Sequence, residues 1–300
     1  MISKDVKEDR QSYIGGSEIA CVLGKSRWKS KYELWAEKTG RLQPKDLSNI
    51  EAVELGTDLE DFVAQKFSQK TGLKVRRAPK VYQHPDYPFM VAHVDRLISD
   101  TNEILECKTC AATKAKEWEN DIPIEYVYQV QWYLGITGKK SGWICCLIGG
   151  QKLDYKQIDF SPKLFNTMVK KAVEFWDMVE MDLPPAPNSL DNAILADVFP
   201  TCTEEMIENN DLNDLIAYRQ ELSMHIEEMQ NEKEEIEAQL KEYIGNRLGI
   251  LTDKYQVTWK EQSKKQLNKT MLKQAYPEIF NDYIQETYYR VLRVSNRKEL

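Results

Sequence analysis

Histidine is scarce, with three residues in a chain of 300. A zinc centre built on imidazoles needs several such ligands, and only His93 lies near other ligand-type residues, so zinc fits poorly. No apolar run reaches the ~18–20 residues needed to span a bilayer, which argues against a membrane-spanning helix or a membrane partner. The N-terminus, MISKDVKEDR, is charged from its first residues and lacks the apolar stretch of a signal peptide. Cysteine is limited to six, two of them adjacent (Cys145, Cys146), which does not read as a disulfide framework. The expectation is a reduced, cytoplasmic chain. A G-x-x-x-x-G-K-[ST] phosphate loop is also missing, so nothing requires ATP hydrolysis. Cys107-Lys-Thr-Cys110 matches C-x-x-C formally, but it sits in strand-like sequence rather than at a helix N-terminus where thiolates are activated, and a redox role is disfavoured.

Net charge is −7, and its distribution says more than its sum. Residues 204–242 hold 13 Asp/Glu against 3 Lys/Arg, so that segment carries −10 and the remainder +3. A nucleic-acid partner is therefore not excluded.

The organising stretch is 91–108, VAHVDRLISDTNEILECK. Two apolar runs, Phe89–Ile98 and Glu103–Thr109, flank the turn cluster Ser-Asp-Thr-Asn and predict a β-hairpin. Strand alternation puts Glu106 and Lys108 on one face and Cys107 on the other, and the hairpin brings Asp95 beside Glu106. Buried carboxylates need a partner or a metal. Strand geometry alone leaves two readings open, ordinary surface charges and a metal site.

Upstream, in residues 14–24, IGGSEIACVLG, Ser17 reads as the N-cap of a short helix that Glu18, Ile19 and Ala20 open and Gly24 ends. Its N-terminus suits an anion that Arg10 can also reach, and a plain capped helix accounts for the same residues. Arg27, Trp28 and Lys29 open a stretch where basic residues alternate with aromatics, as on a nucleic-acid surface. Residues 51–70 read as one helix burying Leu55, Leu59, Phe62, Val63 and Phe67, with Glu60 at the edge of that stripe. A basic strand, Leu73–Tyr82, leads into the hairpin. After it come a helix over Ile124–Ile136 with Gln129 and Tyr133 on one face, strands over 143–148 and 155–160, and a helix from Ser161-Pro162 to about Glu180. The sum is an α/β chain whose mixed central sheet is flanked by helices. The expected organisation is a core over 1–185, a linker over 186–203 and an extension over 204–300. The extension begins with a long acidic amphipathic helix, with Leu215, Leu222, Met229, Ile236 and Tyr243 at seven-residue spacing. It ends in a basic strand–helix–strand with strands at 254–260 and 287–294.

Two carboxylates with a neighbouring lysine are the oxygen-rich, singly cationic set that suits Mg²⁺, with Mn²⁺ able to substitute. The matching reaction class is metal-assisted phosphodiester hydrolysis. Glu60 on a helix, Asp95, Glu106-Cys107-Lys108 and Gln129-x-x-x-Tyr133 together resemble the PD-(D/E)XK nuclease superfamily, with His93-Val-Asp95 standing where the superfamily name has proline before Asp. More narrowly, Ile14-Gly-Gly-Ser-Glu18, Leu34-Trp35-x-x-Lys-Thr-Gly40, Leu55-Gly-Thr-Asp-Leu-Glu60 and Tyr128-Gln-Val-Gln-Trp-Tyr133 resemble the YqaJ family of viral recombinases, which are similar to phage lambda exonuclease. The likeness covers about residues 10–180.

The resemblance implies a PD-(D/E)XK restriction-endonuclease-like core and a Mg²⁺-dependent 5′→3′ double-strand DNA exonuclease, encoded by a phage or prophage and working in the bacterial cytoplasm. It implies Asp95, Glu106 and the Cys107 backbone carbonyl as metal ligands, Glu60 as an outer carboxylate, and Lys108 as the residue that positions the nucleophile. It further implies that Gln129 and Tyr133 hold their helix to the site, and that Arg10 and Ser17 grip a 5′-phosphate. Its implied partners are DNA ends, a single-strand annealing recombinase and further copies of the chain in a trimeric ring. The residues themselves leave two alternatives, a structure- or sequence-specific endonuclease on the same core and a non-catalytic module that binds DNA ends or a recombinase.

Overall fold

The turn Ser99-Asp100-Thr101-Asn102 reverses the chain as its composition predicts, with Asn102 in the left-handed region at φ 59°. In the computed structural model, which describes residues 10–297 except 48, 79 and 120, this turn joins two strands of a five-stranded sheet. The charged stretch before Arg10 and the basic Lys298 lie outside the described residues. The chain divides into two units, Met1–Phe199 and Pro200–Leu300.

The first unit runs α1 (Ile19–Val22), α2 (Lys31–Lys38), α3 (Glu51–Asp58), α4 (Glu60–Thr71), β1 (Val75–Arg77), β2 (Tyr82–Gln83), β3 (Val91–Ala92), β4 (Arg96–Ile98), β5 (Ile104–Cys110), α5 (Ala115–Glu119), α6 (Ile124–Thr137), β6 (Ser141–Ile148), β7 (Lys152–Asp159), α7 (Pro162–Glu180) and α8 (Asp191–Val198). The large sheet has the order β1-β4-β5-β6-β7, and only β5 and β6 pair in parallel. A parallel pair needs a crossover, and residues 111–140, with α6, supply it. Helices cover both faces. On one, Ile104, Ile144 and Cys146 pack with Val130, Trp132, Tyr133 and Leu134 of α6 and with Phe165, Met168, Ala172 and Phe175 of α7. On the other, Leu105, Cys107, Cys145 and Leu147 pack with Val63, Ala64 and Phe67 of α4. This is the expected mixed α/β core, mostly antiparallel. The Ser161 side chain caps α7 ahead of Pro162 as the sequence predicts.

Several boundaries differ from expectation. The helix over 51–70 breaks at Leu59 into α3 and α4, and of its predicted stripe only Val63 and Phe67 are buried, whereas Leu55 and Phe62 are exposed. The strand over 73–82 survives as the fragments β1 and β2, and the first hairpin run likewise splits. β3 pairs with β2 in a separate two-stranded sheet, and only β4 pairs with β5. The linker expected over 186–203 contains α8, whose buried Asp191 bonds Ser30, the residue that caps α2.

In the second unit the acidic helix is α9 (Asn213–Ile244), followed by β8 (Gly249–Leu251), β9 (Gln256–Thr258), α10 (Lys269–Ala275) and α11 (Pro277–Asp282). β8 and β9 form a hairpin, and residues 287–294 form no strand, which corrects the expected strand–helix–strand. Leu215, Leu222, Met229, Ile236 and Tyr243 all lie exposed along α9. Among the described residues no helix is long and apolar enough to cross a membrane.

Candidate active site

The β4–β5 register pairs Arg96 with Leu105. One step further it sets Asp95 opposite Glu106, immediately before β4 begins. Freed from strand geometry, the Asp95 side chain turns inward, and its Oδ2 accepts the Cys107 N–H at 2.9 Å. Glu106, 2% exposed, points to the α6 side of the sheet, and Cys107 points to the α4 side. Glu106 Oε1 receives Lys108 Nζ at 2.6 Å and Gln129 Nε2 at 2.7 Å. Gln129 also donates to the Tyr133 hydroxyl at 2.9 Å. The Lys108 ammonium lies 5.1 Å from the centre of the Tyr126 ring. The structure thus brings Asp95, Glu106, Lys108, Gln129 and Tyr133 together.

The electrostatics follow from packing two acids into a partly closed space. Burial pushes the Asp95 carboxyl well above its ordinary range, and the neighbouring Glu106 pushes it further. Burial works against the Lys108 ammonium, but Glu106 and Asp95 outweigh it and its pKa rises. Burial likewise raises the Tyr133 phenol and the Cys107 thiol, so Cys107 is an inert thiol rather than a nucleophile.

Glu106 Oε2 is buried and has no hydrogen-bond partner among the described residues. A buried carboxylate oxygen left without a donor is costly unless a cation meets it. With Asp95 opposite, the donor set fits a hard, oxygen-seeking metal. Among the described residues no three His, Cys, Asp or Glu side chains cluster as a complete metal-binding group, so backbone oxygen, water or substrate would complete the coordination.

Glu60 starts α4, on the opposite face of the sheet from α6, and its carboxylate is held by Arg96. Arg96, 6% exposed, also pairs with Asp61 at 2.6 Å and donates to the Asp95 backbone oxygen at 2.7 Å. Arg96 was not singled out from sequence, although a lone arginine inside an apolar strand next to Asp95 was the available signal.

Ser17 does not cap a helix. Residues Gly16–Glu18 form a 3₁₀ turn with Gly15 at its cap position, and Glu18 Oε2 takes the Gly15 N–H at 2.9 Å. The serine oxygen is therefore not spent on capping. Ser17 and Arg10 are both exposed. Arg27 is held by Glu117 at 2.9 Å and Glu125 at 2.7 Å, and Lys29 by Glu37 at 2.6 Å, so neither of these two cations is free. Trp28 is 72% exposed. A cleft of about 210 Å³ includes Arg27, Trp28, Lys114, Glu125 and Tyr126, the last being the ring beside Lys108.

Residues 5–140 match the family model described as the YqaJ-like viral recombinase domain. "Uncharacterized protein YqaJ" of Bacillus subtilis (strain 168) is 36% identical over 293 residues, covering 94% of this chain and 91% of its own length. Among solved structures, an alkaline exonuclease from Laribacter hongkongensis (LHK-Exo) has a similar fold, with a TM-score of 0.50 at 19% identity over 60% of this chain and 94% of that one. LHK-Exo in complex with dAMP gives a TM-score of 0.50 at 20% identity, over 64% of this chain and 98% of that one.

Proposed function

This chain belongs to the YqaJ family, and from that premise we propose that it is a metal-dependent deoxyribonuclease that digests double-stranded DNA from its ends. The observation that carries the reading is the buried Glu106 Oε2, unpartnered among the described residues, on a residue that the strand register sets opposite Asp95, with the other carboxylate oxygen bonded by Lys108 and Gln129. The fold shared with an alkaline exonuclease supports it.

Asp95, Glu106 and the Cys107 carbonyl would hold Mg²⁺, with Glu60 as an outer carboxylate. When bound, the metal supplies Lewis-acid stabilisation of charge on the scissile phosphate. Lys108, paired with Glu106, would orient the attacking water or meet a phosphate oxygen. Gln129 and Tyr133 fix the rotation of the Glu106 carboxylate. Arg10 and Ser17 would take the terminal 5′-phosphate, which gives 5′→3′ digestion and leaves 3′ single-stranded tails. Trp28 offers an exposed ring for stacking on DNA. Arg27 and Lys29 would contact phosphate only after giving up their carboxylate partners. An annealing recombinase that takes up the 3′ tails, and assembly with further copies of the chain, complete the proposal.

The test compares end-labelled linear duplex with covalently closed circles in Mg²⁺, with wild type beside Lys108→Ala. Linear DNA should be consumed from its 5′ ends and circles left intact, and Lys108→Ala should lose about two to three orders of magnitude in rate. Full activity in Lys108→Ala would sink the assignment. Cleavage of circles would move it to an endonuclease.

A further inference from the structure

Lys38 has a side chain 2% exposed, and its ammonium is fully committed. It donates to both oxygens of Glu18 at 2.9 Å each and to the backbone oxygen of Arg10 at 2.6 Å. An ammonium carries three donors, and here each finds an acceptor. A buried pair of this kind is costly to assemble and more costly to break on one side. Its acceptors come from the 3₁₀ turns Arg10–Ser12 and Gly16–Glu18, which carry the exposed Arg10 and Ser17.

The second turn is pressed onto the site. A Cβ added at Gly16 would lie 2.3 Å from Tyr133 Cε1, so only glycine permits this approach. Tyr133 accepts from Gln129, and Gln129 donates to Glu106. An unbroken series of contacts therefore runs from Lys38 through Glu18 and Gly16 to Tyr133, Gln129 and the carboxylate. We propose that Lys38 and Glu18 are positioning residues that hold the Arg10 and Ser17 turns at a fixed distance from Glu106, and so set the selectivity of the enzyme for ends bearing a 5′-phosphate. This rests on the nuclease reading and on the phosphate role of Arg10 and Ser17.

Steady-state rates of wild type, Lys38→Met, Lys38→Arg and Glu18→Gln on duplexes with 5′-phosphoryl or 5′-hydroxyl ends test it. Wild type should prefer phosphoryl ends by roughly tenfold or more, the scale of one charge-assisted hydrogen bond. In Lys38→Met and Glu18→Gln the preference should collapse towards unity through a raised KM on phosphoryl ends, with hydroxyl-ended rates within about twofold of wild type. Lys38→Arg should recover part of it. If Lys38→Met does not fold, the milder Glu18→Gln carries the same comparison. Folded variants that keep the wild-type preference, or lose rate equally on both ends, would overturn the positioning role alone. Wild type without a preference would overturn the phosphate reading and this inference with it, and wild type without cleavage would overturn the nuclease assignment.

Discussion

Gln129 and Glu106 lie 23 residues apart in sequence and 2.7 Å apart in space, from amide nitrogen to carboxylate oxygen. The other Gln129 N–H goes to the Tyr133 hydroxyl. Both N–H groups of the amide are thereby used, and one of them ties a single oxygen of the Glu106 carboxylate. Oε2 then remains the oxygen without a donor.

Replacing that amide should loosen the metal rather than the fold. Gln129→Leu is expected to move the Mg²⁺ concentration for half-maximal cleavage upward by about 10- to 100-fold, the usual cost of losing a residue that orients a ligand. The readout is a Mg²⁺ titration of rate beside a urea melt. An unchanged midpoint would show that Gln129 does not orient the ligand.

Gly16→Ala should be destabilising out of proportion to one methyl group. The added carbon meets the Tyr133 ring, which packing from α6 holds in place, so the turn has to retreat. A loss of about 1–3 kcal/mol is expected from chemical denaturation. A neutral result would mean that the turn and the ring separate freely.

Glu103 gives a pH-dependent prediction away from the site. Burial raises its pKa, but hydrogen bonds from Ser141, Thr101 and Gln157 outweigh that, and the carboxyl is held below its usual range. A depressed pKa means that the ionised form stabilises the fold. The contribution is complete above the unfolded-state pKa and fades as pH falls through the lower native one. Glu103→Gln should therefore cost about 1 kcal/mol near pH 7, and the two proteins should converge below roughly pH 4. Thermal melts across pH 3–7 read this directly, and a constant offset would refute it.

Much of the local grammar was legible in sequence. The Ser-Asp-Thr-Asn turn, the alternation that separates Glu106 and Lys108 from Cys107, and the i,i+4 spacing of Gln129 and Tyr133 each follow from a period that strands and helices impose. Pairings between distant residues were not legible. Nothing local says that Lys38 meets Glu18, that Arg96 engages Glu60, or that Glu117 and Glu125 occupy Arg27, because charges read alike whether solvated or paired. The break at Leu59 escaped for a similar reason. Its apolar spacing continues through residues 55–62, yet Leu55 and Phe62 stay exposed, since periodicity records which residues could be buried and not what arrives to bury them.

The parallel pairing of β5 with β6 has a kinetic consequence. Asp95, Glu106 and Lys108 belong to one hairpin and its edge, so they come together through short-range contacts. Gln129 and Tyr133 ride on the crossover that the parallel pair demands, and long-range closures of that kind are slow to form. A chain in which the hairpin forms ahead of this crossover would hold the acids and the lysine without the amide that bonds Glu106. On that order, the Gln129 bond to Glu106 would be made only when α6 closes over the sheet.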